Sequence, residues 1–319
     1  MSQAVTVIIP TWNHGDLLNA CLNSLADQIF QKLDIIVVDD ASSDGTVNAA
    51  VSGRQNVRIL RNETNRGFAA SANRGLREAT SDWVMLLNND VTLAPDAIDR
   101  LVNAVESEQA DMVQPLILWR DAPDRIYSAG DRQRLNGRPE GIGFRDQREG
   151  FRFDEPVFGV TAAAALYRRE IFDRVGYLDE TFLAYFEDSD LNFRARLAGF
   201  QAACVPEAVA WHVGSASQSG KTWWRSRQCF RNHALLVVKN MPWPLLIRYA
   251  PSILRERLHQ ISMLIGSARA EFGLAKALAI AALAIGSTWR ALLPSMMKRF
   301  NIQRNRAVDL QTLRDLLRE

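Results

Sequence analysis

Over the first 120 residues, short apolar and β-branched runs alternate with segments whose apolar positions recur at helical spacing. Residues 5–9, 35–38, 57–60 and 83–87 predict four strands, while Leu17, Leu18, Cys21, Leu22 and Leu25 fall three or four apart and predict a helix, as do 68–79 and 95–107. The second and third strand segments are nearly all apolar, as expected for strands covered on both faces. The fold class this predicts is α/β, a mostly parallel, doubly wound sheet flanked by helices. Residues 120–157, rich in Asp, Arg, Gly and Pro, read as a long polar excursion with short strands. Residues 188–197 predict a helix that opens on acids and closes at Gly199. Residues 208–211 predict a further strand, and from Trp223 onward the pattern is helical and basic.

Composition adds little until it is divided along the chain. The whole carries 38 Lys+Arg against 36 Asp+Glu, a formal charge of +2, and 47% hydrophobic residues, which excludes disordered, collagenous and disulfide-scaffold classes. Residues 215–319, however, hold 17 of the basic and 5 of the acidic residues, so a segment of +12 follows a body of −10. Such a split points to an anionic partner of the C-terminal segment. Cys21, Cys204 and Cys229 form no C-x-x-C pair, and no basic n-region with an apolar h-region precedes Val5. A reducing cytoplasmic location is expected.

In open α/β sheets ligands bind beyond the carboxyl ends of the strands. Pro10-Thr11-Trp12-Asn13 follows the first strand, Asp39-Asp40-Ala41-Ser42-Ser43-Asp44-Gly45-Thr46 the second, Asn65-Arg66-Gly67-Phe68 the third and Asn88-Asn89-Asp90 the fourth. Each alone suits an ordinary turn or helix cap. Four on one rim, two of them with carboxylates, predict a site. No G-x-G-x-x-G turn and no Walker A sequence is present, which excludes the usual dinucleotide and P-loop sites. A nucleotide could be held instead by an Asp accepting from a base, by Trp12 covering a ring and by a metal at Asp90.

These segments, with Asn73-x-Gly75, Leu87-Asn88-Asn89-Asp90 and Phe186-Glu187-Asp188-x-Asp190-Leu191-x-x-Arg194, resemble in order and spacing the inverting glycosyltransferases of family 2 over about 5–214, and most closely the rhamnosyltransferase branch. The resemblance implies a GT-A fold, a dTDP- or UDP-sugar donor, a divalent cation (Mg²⁺ or Mn²⁺) and a saccharide or lipid-linked acceptor. It assigns Pro10, Thr11, Trp12, Asn13, Asp39, Asp40, Arg66, Gly67, Asn88 and Asn89 to donor binding. Asn89-Asp90 occupies the D-x-D position with one carboxylate, so Asp90 is expected to ligate the metal, with His212 as a second ligand. Asp188, beside Glu187, falls at the general base. Arg194 is expected to neutralise these acids or the diphosphate, and its spacing also pairs it with Asp190.

The implied organisation is a catalytic domain over 1–214, with a nucleotide-binding half (1–120) and an acceptor half (121–214), and a basic amphipathic helical extension over 215–319. The longest uncharged stretch of 245–300 is Ala277 to Trp289, 13 residues against the roughly 20 that a span needs. Peripheral attachment to the inner face of the cytoplasmic membrane is therefore expected, with Arg255, Arg257, Arg269, Lys298 and Arg299 facing lipid, or else a homo-oligomer contact. Nucleic acid is not expected. The competing readings are a non-catalytic sugar-nucleotide-binding subunit and a nucleotidyltransferase. The latter lacks its Gly-rich basic loop after strand one.

Overall fold

The computed structural model describes residues 4–107, 110–214 and 222–318. One curled sheet runs in the order β3 (Val57–Arg61), β2 (Leu33–Asp39), β1 (Val5–Thr11), β4 (Trp83–Leu87), β10 (Ala164–Arg168), β6 (Met112–Trp119), β11 (Ala202–His212) and β5 (Val91–Leu93), with β7 (Ile126–Ser128) pairing β6. The four predicted strands lie side by side and parallel. Beyond them β10 runs antiparallel to both β4 and β6, and β5 antiparallel to β11, so the sheet is mixed. The small hairpin β8 (Asp131–Gln133) and β9 (Pro139–Gly141) lies within the predicted excursion.

Helices cover both faces. Leu18, Cys21, Leu22 and Leu25 of α1 (Gly15–Ala26) and Ile98, Leu101 and Val105 of α4 (Ala97–Ser107) pack on one side, with α2 (Thr46–Val51) beside them. The other side takes α3 (Phe68–Glu78), α5 (Glu170–Val175) and α6 (Glu187–Leu197). Each buried Leu or Ile in these layers contributes about 1.5–3 kcal/mol. Gly75 lets α3 lie directly on β1, because a Cβ there would stand 2.5 Å from the Ile8 side chain. One expectation fails: β2 is buried on both faces, but β3 is an edge strand with Arg58 and Arg61 exposed, its apolar residues covered on one side only.

Residues 222–318 form α7 (Thr222–Asn240), α8 (Trp243–Arg248), α9 (Ala250–Phe272), α10 (Leu274–Arg304) and α11 (Leu310–Leu316). The 31-residue α10 is long and apolar enough to cross a membrane by length and composition, contrary to the expectation from the uncharged stretch. Lys276 and Arg290 bound the uncharged stretch, but the long stems of such basic side chains can lie along apolar surface while their charged ends reach water. The amphipathy of α10 is inverted. Its inward face is small, with Ala277, Ala281, Ala284, Thr288, Ala291 and Ser295 buried, while Trp289, Leu293, Met297 and Phe300 point outward, each about 70% exposed. Three of the cations expected to meet lipid are spent internally. Arg257 lies on the Phe230 ring, Arg299 stacks on Trp243 and donates to the Val238 carbonyl, and Lys298 pairs with Asp179 at 2.7 Å.

Candidate active site

The rim loops are stitched together by their own polar groups. Thr11 Oγ1 accepts from Asn89 Nδ2 at 2.8 Å, joining the first loop to the fourth. Asn13 donates its N–H to Ser42 Oγ at 2.7 Å and accepts from the Ser43 N–H at 3.0 Å, joining it to the second. Asp39 caps that second turn by accepting the Ser42 N–H at 2.9 Å. Asp40 is buried, and its carboxylate accepts from Asn62 Nδ2 and from the Arg66 and Gly67 N–H groups at 2.7 to 2.9 Å. Asn65, with its amide turned to suit both neighbours, bridges Asp40 and the Trp12 indole N–H. The Trp12 ring stays 43% exposed above the end of β1. The Arg66 side chain leans away to Glu180, 3.2 Å distant. Asn88 is held through its backbone, donating to the Ala163 carbonyl at 2.9 Å.

Asp90 sits in the turn between β4 and β5. The β5–β11 register sets His212 opposite Val91, so His212 Nε2 comes 3.0 Å from Asp90 Oδ1. The Tyr127 ring meets the imidazole edge-on at 4.3 Å between centroids. His212 Nδ1 is buried without a partner among the described residues. An oxygen and a borderline nitrogen donor converging on one point fit a cation such as Mn²⁺ that completes its shell with water and phosphate oxygens. Among the described residues no cluster of three or more His, Cys, Asp or Glu side chains suits a metal. Among the described residues this pair alone would then hold the cation.

The acids of α6 sit at its N-terminus. Asp188 accepts from the Ser189 N–H at 2.7 Å, and more weakly from the Ala162 N–H at 3.3 Å and Thr161 Oγ1 at 3.4 Å. Burial pushes its carboxyl above the ordinary range, and these hydrogen bonds restrain the rise. Glu187 has one carboxyl oxygen buried without a partner. Burial, reinforced by the charge of Asp188, pushes it up to about 8. Two further buried groups feel the charge of Asp188. Asp131, at the start of β8, is raised well above its ordinary value by burial and then by Asp188. The Tyr127 hydroxyl is raised by burial, with smaller contributions from the charges of Asp90 and Asp188.

Asp190 and Arg194 do not join this group. Asp190 points into the interior and accepts from Arg194 at 2.9 Å, Lys239 at 2.8 Å and Asn240 at 2.8 Å. Burial raises its carboxyl, but Lys239 and Arg194 more than offset that and hold it below the ordinary range. Arg194 is buried, and three more of its N–H groups go to the Val175, Gly176 and Tyr177 carbonyls. Its pairing with Asp190 follows from spacing as expected, but the expectation that it meets the diphosphate is corrected, since the side chain is buried and all three guanidinium nitrogens are bonded to Asp190 or to backbone carbonyls.

The sequence model described as Glycosyl transferase family 2 matches residues 6–176, more than half of the chain. The chain belongs to glycosyl transferase family 2. It is therefore a sugar-transferring enzyme, and the alternatives of a binding subunit or a nucleotidyltransferase gain no support. This glycosyltransferase is 29% identical over 238 residues to an N-acetylglucosaminyl-diphospho-decaprenol L-rhamnosyltransferase of Mycobacterium tuberculosis, a match covering 66% of the chain and 76% of the relative. Its GT-A fold is shared with a mannosyltransferase of Pyrobaculum calidifontis solved in complex with GDP-Man and Mn²⁺, at a TM-score of 0.56 and 20% identity over 95% of this chain and 88% of that one. S. aureus TarS aligns at 0.53 and 16% identity over 94% and 89%. The sequence reading missed Tyr127 and Asp131, which lie in the excursion where no periodicity marks them. It also missed Asn232 and Lys239, whose partners are about 50 residues away.

Proposed function

We propose that this glycosyltransferase moves a sugar, with inversion, from a nucleoside-diphosphate donor to a hydroxyl of a saccharide or lipid-linked saccharide acceptor in cell-surface polysaccharide synthesis. The observation that carries the reading is the buried Glu187–Asp188 pair at the N-terminus of α6, with Asp188 accepting from the Ser189 and Ala162 N–H groups, in a fold that also brings His212 to Asp90. Asp188 accepts the acceptor hydroxyl proton. The hydroxyl oxygen forms its bond to the anomeric carbon on the face opposite the diphosphate, and the electron pair of the broken bond leaves with the diphosphate. The charge of that leaving group needs compensation. Asp90 and His212 would hold a divalent cation, Mn²⁺ or Mg²⁺, which when bound supplies it as a Lewis acid. Trp12, the Thr11–Asn89 bridge and the Asp40-bound turn would line the nucleotide pocket. The mycobacterial relative, named as a rhamnosyltransferase acting on a lipid diphosphate sugar, supports a dTDP- or UDP-linked rhamnose and a lipid-linked acceptor.

The deciding experiment is Asp188→Asn. General-base catalysis contributes about 10² to 10⁴-fold, so turnover should fall by at least about 10²-fold with nucleoside-diphosphate affinity nearly unchanged. Turnover near that of the wild type removes Asp188 from the role.

The outward face of α10 supports contact with an anionic membrane. Trp289, Leu293, Met297 and Phe300 would lie among the acyl chains at the interface while exposed Lys276 and Arg290 reach headgroups, on a helix that carries no acid. A second copy of the chain covering the same face is the competing outcome.

A further inference from the structure

The segment leading into the catalytic helix is a strap, residues 179–186, with an unusual backbone. Leu183 has φ 63° and ψ −60°, and the Ala184 N–H closes on the Phe182 carbonyl at 2.7 Å, which makes a γ-turn of the rare, strained kind. Tyr185 and Phe186 follow with φ of 65° and 71°, so three of four consecutive non-glycine residues are left-handed. Such a run persists only where surrounding groups over-determine it. Here one side chain does most of that. Asn232 of α7 is fully buried, and its Nδ2 lies 2.8 Å from each of the Phe182, Ala184 and Tyr185 carbonyls, the same carbonyls that the turn reorients. Arg231 fixes the amide from behind, donating from Nη1 to Asn232 Oδ1 at 2.9 Å and to the Thr181 carbonyl at 2.8 Å.

The strap touches both halves of the site. At its start Glu180 accepts from Asn73 at 3.0 Å and pairs with Arg66, whose own N–H sits on Asp40. In its middle the Leu183 carbonyl abuts Gly67, where a Cβ would stand 3.2 Å away. At its end Phe186 is the residue before Glu187 and Asp188, and its carbonyl accepts the Asp190 N–H at 2.9 Å to start the helix. The direction in which Asp188 points is set by how this strap enters α6.

We propose that Asn232 is a positioning residue for sugar transfer: by holding the three strap carbonyls it sets the geometry of the Glu187–Asp188 pair against the acceptor, so that α7, in the C-terminal helices, completes the active site. The inference rests on the base role proposed for Asp188. Lys239 assists from the same helix, bridging Asp179 at the start of the strap, at 2.6 Å, to Asp190 in the helix that follows it, at 2.8 Å.

The test compares Asn232→Ala and Asn232→Asp with wild type and with Asp188→Asn. The Asp variant keeps the volume but replaces the N–H donors with a carboxylate aimed at carbonyl oxygens. A displacement of the base by about 1 Å costs on the order of 10²-fold, so kcat for transfer should fall by about that factor in both variants. Affinity for the nucleoside diphosphate, titrated without acceptor, should stay within about twofold, because Asp40, Trp12 and Asp90 are held by other contacts. The midpoint of the acid limb of the kcat–pH profile should also move, since the surroundings of the acid pair change. A purely structural residue would not shift that midpoint. Wild-type kcat with an unmoved acid limb overturns the proposal, as does loss of donor binding in step with transfer, or loss of the folded state in both variants. If Asp188→Asn is itself active, the base assignment fails and not the strap alone. If Asp188→Asn is inactive while the Asn232 variants match wild type, only the positioning role fails.

Discussion

Replacing Glu187 by Gln tests the electrostatics of the site most sharply, because Gln has the shape of the protonated acid and no ability to ionise. The native carboxyl is pushed from 4.5 up to about 8 by burial and by Asp188. At pH 7 it is then about nine-tenths protonated, while in the unfolded chain it is almost wholly ionised. Between these two values the native state holds a proton that the unfolded state has released, so this group lowers stability as pH rises through the window and levels off above it. About 2.5 pH units separate the ordinary value from pH 7, and at about 1.4 kcal/mol per unit the penalty at pH 7 is on the order of 3 kcal/mol. Glu187→Gln should recover most of it. Urea or thermal unfolding at pH 5, 7 and 9 should show the two proteins nearly equal at pH 5 and the Gln variant ahead at 7 and 9. Asp188 is raised too, and because its charge acts on Glu187 the two titrate as a pair, so the difference between the two pH slopes reports the ionisation of Glu187 together with that mutual interaction. Turnover at pH 7 should stay within about threefold of wild type, since Asp188 remains the base. Equal pH slopes, or a Gln variant less stable than wild type at pH 9, would refute the reasoning.

Asp90→Ala and His212→Ala should each weaken Mn²⁺-dependent binding of a nucleoside diphosphate, measured by calorimetry with and without EDTA; binding indifferent to both changes would remove the pair from metal ligation. Arg194→Met should destabilise by about 3–5 kcal/mol in urea melts, because it strips a partner from the buried Asp190 carboxylate, while leaving donor affinity of the folded fraction intact. Phosphatidylglycerol vesicles should sediment the protein and neutral vesicles should do so less well. Reversing the exposed Arg255, Arg269, Lys276 and Arg290 to Glu should weaken that binding, Trp289→Ser should weaken it at high salt as well, and a stable dimer with no vesicle binding would instead assign the α10 face to a second copy.

Residues 1–120 were legible because their signals are local. Apolar runs mark β1 to β4, and turn residues after them mark the rim that the structure assembles. Residues 121–214 were not. The short β10 runs opposite to its neighbours, a reversal that nothing in Ala164–Arg168 encodes, and β7 to β9 are three-residue strands fixed by long-range pairing. Charge was legible in amount but not in destination. Arg257, Lys298 and Arg299 read as cations awaiting an anion, and the fold had already given them an aromatic ring, a carboxylate and a carbonyl. Asp190 follows Asp188 by only two residues, yet that spacing turns it about 200° round the helix from Asp188, onto Lys239 and Asn240.

The outward face of α10 also bears on how the reaction would be measured. Lys298, on that helix, is one ion pair from Asp179 at the start of the strap. With Trp289, Met297 and Phe300 in lipid, the acceptor side of the site would stand beside the plane in which a lipid-linked acceptor diffuses, so enzyme and acceptor would search for each other in two dimensions. Turnover would then follow the mole fraction of acceptor in the bilayer. Diluting the vesicles with inert lipid at constant bulk acceptor would slow the enzyme, whereas adding buffer would not.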